Sequence, residues 1–221
     1  MGKLVNYVTP LHRATSRTYI DRMVDDKVYC MLKAKEYETD YWDGDRRYGY
    51  GGYKYMPGRW KSVAEALIEN YGLTNDSSVL DVGCGKGFLL FDFLKVMPEA
   101  KIFGIDISDY AIQNSKEEIR ENLQVGKATN LPWPDDYFDL VFSINTFHNL
   151  HSYDLEPALR EFERVGKDNK YICVESYRTE EEKANLLYWQ VTCESFCTPE
   201  EWEWWFKHTG YTGDYSFIYF E

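Results

Sequence analysis

The sequence predicts an α/β fold, a doubly wound and mostly parallel sheet with helices on both faces, plus an N-terminal helical or loop extension. Three observations lead there. From about residue 60 onward, short aliphatic runs with β-branched residues alternate with amphipathic runs of helical period. The connections between them are short, as in repeated strand–helix–strand units. Residues 1–57 are polar, charged and tyrosine-rich with few aliphatics, so they read as an extension and residues 58–221 as the folded domain.

Arg59 to Tyr71 places Val63, Ala64, Leu67 and Ile68 at helical spacing, and Gly72 stops that helix. Ser78 to Val82 reads as the first strand and runs into Gly83-Cys84-Gly85-Lys86-Gly87. A helix with a broad apolar face follows over Phe88 to Val96, ahead of Pro98. Lys101 to Ile105 is a second strand ending at Asp106, with Ser108 as N-cap of a helix through Tyr110, Ile112 and Ile119. Leu123 to Gly126 and Tyr137 to Phe142 read as strands three and four. A helix over Leu155 to Val165 precedes a fifth strand, Tyr171 to Val174. Thr198-Pro199-Glu200-Glu201 combines a cap, a first-turn proline and a capping-box acid, and opens a helix carrying Trp202, Trp204, Trp205 and Phe206 up to Gly210. Ser216 to Phe220 is the closing strand.

Composition limits the function classes. The 221 residues hold 25 Lys and Arg against 37 Asp and Glu, a net charge of −12. Gripping DNA or RNA by its phosphates, or docking on anionic lipid, needs a basic surface instead. No apolar stretch is long enough to span a membrane, and residues 1–7 lack a signal peptide's apolar core. Gly2 is outside a myristoylation pattern because Asn6 stands where Ser or Thr belongs. Five scattered cysteines, Cys30, Cys84, Cys173, Cys193 and Cys197, point to a reducing, cytoplasmic setting.

The glycine run carries the sharpest signal. Glycines in a strand-to-helix turn permit positive φ and let a ligand approach the backbone. Asp106, at the end of the next strand, is placed to accept ribose hydroxyls. A dinucleotide fold wants G-x-G-x-x-G, whereas here the spacing is G-x-G-x-G and Phe88 follows. Asp81 also precedes the first glycine, where it would repel pyrophosphate and favour an ammonium or sulfonium.

At Val79 to Gly87 the chain resembles the class I S-adenosylmethionine-dependent methyltransferases, whose first motif is a hydrophobic pair, acid, any, Gly, any, Gly, any, Gly. Ile105 to Ser108 looks like their ribose-binding strand end, Asn130 to Asp139 like the loop and strand after the adenine site, and Asn145 to Leu150 like the segment after strand four. The resemblance covers roughly residues 60–220. It implies a Rossmann-like fold, S-adenosylmethionine as cofactor, and cofactor contacts at Asp81, Gly83, Cys84, Gly85, Gly87, Asp106, Ile107, Ser143 and His148. The family often places an acid after strand three, but Lys127 stands there, which leaves groups near Ala128 and Thr129 to hold adenine. It also usually ends on a β-hairpin, so either a further strand lies between Tyr188 and Phe196 or the sheet is reduced.

For chemistry, His148 just past the fourth strand is the candidate general base, with the alternative that it only packs locally, and Glu175 after the fifth strand the candidate to orient a substrate or assist it. His151 is a second candidate; His12 and His208 read as surface residues. Cys84 has no neighbouring base and reads as a small filler, and Cys193 with Cys197 lacks the partners of a metal site, so no metal is expected.

Residues 37–60 gather six tyrosines and two tryptophans among glycines. By resemblance they form a lid, with Tyr41, Tyr50 or Tyr53 lining the substrate pocket and Arg46 or Arg47 near a carboxylate or phosphate. The alternatives are a loop packed on the surface or a homodimer contact. The reading that joins these observations is methyl transfer to an oxygen or nitrogen of a small-molecule acceptor, a sugar or secondary metabolite. Its alternatives are a protein or RNA methyltransferase, or a non-catalytic binding protein of the same fold.

Overall fold

The structure is a computed structural model that describes residues 1–13 and 18–221. Among its described residues the extension holds four short helices, α1 (Thr9–Arg13), α2 (Tyr19–Val24), α3 (Lys27–Ala34) and α4 (Thr39–Trp42). Only Cys30 and Ala34 of α3 and Trp42 of α4 are buried within them, as expected of a segment poor in aliphatics. After it come α5 (Lys61–Tyr71), β1 (Ser78–Val82), α6 (Phe88–Val96), β2 (Lys101–Asp106), α7 (Asp109–Gln113), β3 (Leu123–Val125) and β4 (Phe138–Ile144). The chain closes with α8 (Ser152–Val165), β5 (Gly166–Glu175), α9 (Glu180–Trp189), α10 (Pro199–Thr209) and β6 (Asp214–Ile218).

The strands form one sheet in the order β3-β2-β1-β4-β5-β6, and every pair is parallel. Such a sheet is covered on both faces, which explains why its strands read as continuous apolar runs. Alternate residues sort into two cores. Val79, Phe142 and Cys173 pack with α5 and α6, while Leu80, Val141 and Ile172 pack with α8 and α10. Strand order reverses at β1 and β4, and there the carboxyl ends open a crevice.

The predicted elements recur with shifted ends, and four differences have physical reasons. The helix after Asp106 breaks at Asn114-Ser115: α7 stops, and a 3-10 turn over Glu117–Asn122 carries Ile119 into the core. Asn114 Nδ2 donates to Tyr110 O, the competition with backbone that makes Asn a poor helix interior residue. Helix α9 shows little periodicity because only Glu182 and Leu186 are buried in it, although Thr179 caps it by accepting from Glu182 N. No strand occupies residues 190–197, so the sheet is the reduced one. Its β6 edge is covered instead by residues 2–5: Gly2 N donates to Gly213 O at 2.9 Å and Val5 N to Tyr215 O at 2.9 Å, with Leu4 bridging Tyr215 in parallel.

Candidate active site

The crevice holds two cavities. The first, of about 370 Å³, is lined by Asp106 and Ile107 from the end of β2 and by Lys127, Ala128 and Thr129 after β3. The second, of about 420 Å³, is lined by Asp81, Cys84, Gly85, Tyr53 and Phe88. Gly83, Asn145, Trp42 and Tyr50 border both. Both volumes lie in the range of small-molecule sites.

Glycine is required at the shared border. Gly83 has φ +84°, and a Cβ there would lie 1.9 Å from Thr146 Oγ1, because the loop after β4 passes directly over it. At Gly85, φ +53°, a Cβ would lie 2.8 Å from the Trp42 ring. Gly87 is different: it lines neither cavity, and Ile119 and Leu123 fill the space beside it.

The two acids have distinct settings. Asp106 Oδ2 accepts from Gly85 N at 2.7 Å and Oδ1 from Ser108 N at 2.9 Å. A carboxylate has about four acceptor sites, so acceptor capacity remains for a ribose hydroxyl. Asp81 is 6% exposed, and no described residue hydrogen-bonds its carboxylate. Burial, with Asp106 nearby, holds its pKa well above the usual carboxylate range. A buried acid without a partner, open to a cavity, is a ready site for a cation. Asn145 adds strain: it holds φ +59° at the end of β4, and its Oδ1, like that of Asn149, is buried without a partner.

Aromatic rings of the extension close the crevice. Trp42 stacks on Tyr50 at 5.3 Å, and Tyr53 stands 4.4 Å from Tyr50 and 5.0 Å from Phe88. Trp42 Nε1 donates to Ser108 Oγ at 2.9 Å, tying the ring to the turn beyond Asp106. A polar latch fixes the segment: Lys86 Nζ donates to Asp43 Oδ2 at 2.6 Å and to Tyr53 O at 3.0 Å, and Tyr110 OH reaches the same Asp43 oxygen at 2.9 Å. Burial pushes the Tyr41, Tyr50 and Tyr53 hydroxyls up, so they stay protonated. The same effect keeps Cys84 a thiol, which removes it as a nucleophile.

A family model described as a methyltransferase domain matches residues 73–210, more than half of the chain. The chain belongs to the class I S-adenosylmethionine-dependent methyltransferases. Among curated relatives, it is 33% identical over 108 residues to an uncharacterized methyltransferase of Schizosaccharomyces pombe, covering 43% of this chain and 38% of that one. It is 30% identical over 128 residues to the demethylmenaquinone methyltransferase of Symbiobacterium thermophilum, covering 54% and 50%. The chain thus spans half or less of the length of these relatives. A putative methyltransferase of Haloferax volcanii, solved with its Trm112 activator, shares the fold with a TM-score of 0.55 at 22% identity, covering 70% of this chain and 73% of that one.

In this member of the family the cofactor residues expected from the sequence divide. Asp81, Gly83, Cys84, Gly85, Asp106, Ile107, Lys127, Ala128 and Thr129 border a cavity. Ser143 does not: it is fully buried and donates from Oγ to Val82 O at 2.7 Å, bracing β4 against β1. His148 and Glu175 also line neither cavity. His148 is 1% exposed, its Nδ1 accepts from Glu175 N at 3.2 Å, and its Nε2 lies 3.5 Å from Glu175 Oε2. Burial pushes the imidazole down to about 3, so it is neutral and faces a protein carboxylate, where no acceptor can reach it. Glu175 is held by Gln190 Nε2.

Of the lid candidates, Tyr41 and Tyr50 line the first cavity and Tyr50 and Tyr53 the second. Arg46 and Arg47 line neither. Arg46 donates to Gly49 O and stacks over Trp189, while Arg47 pairs with Asp25 at 2.8 Å. His12, expected on the surface, borders the second cavity, and His151 borders the first. Trp42, Lys86, Asp43 and Asn145 were not anticipated as site residues; the only local hint was the density of aromatics around Trp42.

Proposed function

We propose that the chain binds S-adenosylmethionine along the crevice and directs its methyl group to an oxygen or nitrogen of a small molecule. When bound, that cofactor supplies an electrophilic methyl on a sulfonium. The chain's residues would do the rest. Asp106 accepts a ribose hydroxyl on its remaining acceptor capacity, and Asp81 meets the ammonium. Ile107, more than half exposed, offers the adenine an apolar edge beside Ala128 and Thr129. The Trp42–Tyr50–Tyr53 wall excludes water from the reacting centre. Positioning then supplies most of the acceleration, on the order of 7–11 kcal/mol for well-oriented reactants. His148 and Glu175 act as a buried pair that holds β5 against the loop after β4.

The observation that carries the small-molecule reading is the closure of the crevice by the extension into cavities of about 370 and 420 Å³. The test has two parts. Calorimetry should show S-adenosylhomocysteine binding, and labelled methyl transfer should favour a small-metabolite fraction over bulk tRNA or protein. Transfer mainly to either polymer would overturn the acceptor assignment and leave the cofactor assignment standing.

A further inference from the structure

The outward face of the extension is apolar. Ile20, Met23 and Val24 of α2 and Val28, Tyr29 and Leu32 of α3 are each 45–75% exposed. Their spacing, i, i+3, i+4 on α2 and i, i+1, i+4 on α3, puts each set on one helix face, and the two helices touch. The opposite side of α3 is already occupied, since Cys30 and Ala34 pack against Val191. Together the six side chains expose on the order of 650 Å², above the ~300–600 Å² of the largest apolar patch on a typical monomer and near the ~800 Å² that each partner gives to a standard interface.

Charge selects the partner that fits this face. Residues 19–36 hold four Lys and Arg against four Asp and Glu, a net charge of zero, so the whole excess of twelve acids lies elsewhere in the chain. Anionic lipid or a polyanion finds no basic excess here. A second copy of this acidic chain is repelled by most of the surface but not by this face. The pattern is also self-complementary. Asp26 and Lys33 lie two turns apart on one flank of α3, beside Tyr29. The partners Lys33 already has, Glu36 at 3.2 Å and Asp40 at 3.7 Å, form surface pairs that hold it only weakly. A two-fold axis across the middle of α3 sets Asp26 of each copy beside Lys33 of the other, and Val28 against Leu32, twice over.

We propose that the chain forms a two-fold dimer through α2 and α3, with the two α3 helices antiparallel. The contact braces the extension from outside, because the Tyr29 ring meets that of Tyr48, in the segment that closes the crevice, at 6.0 Å.

Analytical ultracentrifugation of the full chain tests it. The native chain should sediment as a dimer at micromolar concentration. Asp26→Lys alone sets ammonium against ammonium in both crossed pairs, and Lys33→Asp alone sets carboxylate against carboxylate, so each should weaken association by about tenfold or more. Mixing the two variants makes both crossed pairs attractive again and should restore a dimer, as should one chain carrying both substitutions. Leu32→Asp should give a monomer whose circular dichroism matches that of the native chain, because the side chain is exposed. A native chain that stays monomeric up to about 100 μM, or a dimer indifferent to Leu32→Asp, overturns the proposal. A dimer broken by both charge variants and not restored on mixing them overturns the antiparallel arrangement.

Discussion

Asp81 is costly to the folded protein while its carboxylate has no partner, and the proposed function gives it a cation to meet. Its folded pKa is raised by burial, so the penalty is absent below the ordinary carboxyl value of 3.8, grows as the pH rises, and is complete above the raised value. Asp81→Asn should therefore raise Tm near neutral pH by about 2–4 °C, the equivalent of ~1 kcal/mol at this chain length, and weaken S-adenosylhomocysteine binding about tenfold or more. The Tm gain should shrink as the pH is lowered toward the carboxyl range; a gain independent of pH would mean another cause. His148 has the opposite sign. Its imidazole is held down at about 3 against an ordinary 6.5, so the unfolded chain takes up the proton first and stability is lost as the pH falls below 6.5. Between about pH 7 and 5 that loss is about 2 kcal/mol, and urea unfolding of His148→Gln should show a correspondingly flatter pH profile. At Gly83 the loop after β4 leaves no room for a Cβ, so Gly83→Ala should destabilise by about 2 kcal/mol or more.

At the scale of elements, the extension is held by polar ties as well as by apolar anchors, Val8 in the main core and Cys30 with Ala34 against Val191. Lys86 is 4% exposed, and Asp43 neutralises it. Asp43→Ala leaves that ammonium buried and unpaired, at a cost of about 2–3 kcal/mol. Hydrogen exchange should then accelerate over residues 37–60 while β1 and β4 keep their protection. Faster exchange throughout the sheet would show that the latch supports the domain and not only the cover. A second tie is Asp92 of α6, buried, which accepts from Tyr55 OH at 2.5 Å and from Trp60 N at 3.1 Å. The extension is thus fastened at both the glycine loop and α6.

For the whole molecule, a net charge of −12 and a sequence pI near 4.9 leave little attraction for a polyanion. Filter binding of bulk tRNA at about 0.15 M salt should show no retention at micromolar protein; tight retention would move the acceptor reading toward RNA. Among the described residues no helix is long and apolar enough to cross a membrane. The site lies where a doubly wound sheet would place it, at the strand-order reversal between β1 and β4.

Much of this was legible in the chain's local chemistry. The β1 run, its glycine turn and Asp106 sit in contiguous segments, and the cofactor crevice follows because a parallel sheet presents strand ends together. Burial of His148 was not legible, since a residue just past a strand end faces a ligand or the core depending on what packs over it, here β5 through Glu175. The same holds for Trp42 on Gly85, Lys86 with Asp43 43 positions earlier, and the N-terminal residues on the β6 edge. Periodicity and motif spacing report interactions within a segment. Which side chains meet across the crevice depends on how separate segments pack, and that information is carried only by the folded chain.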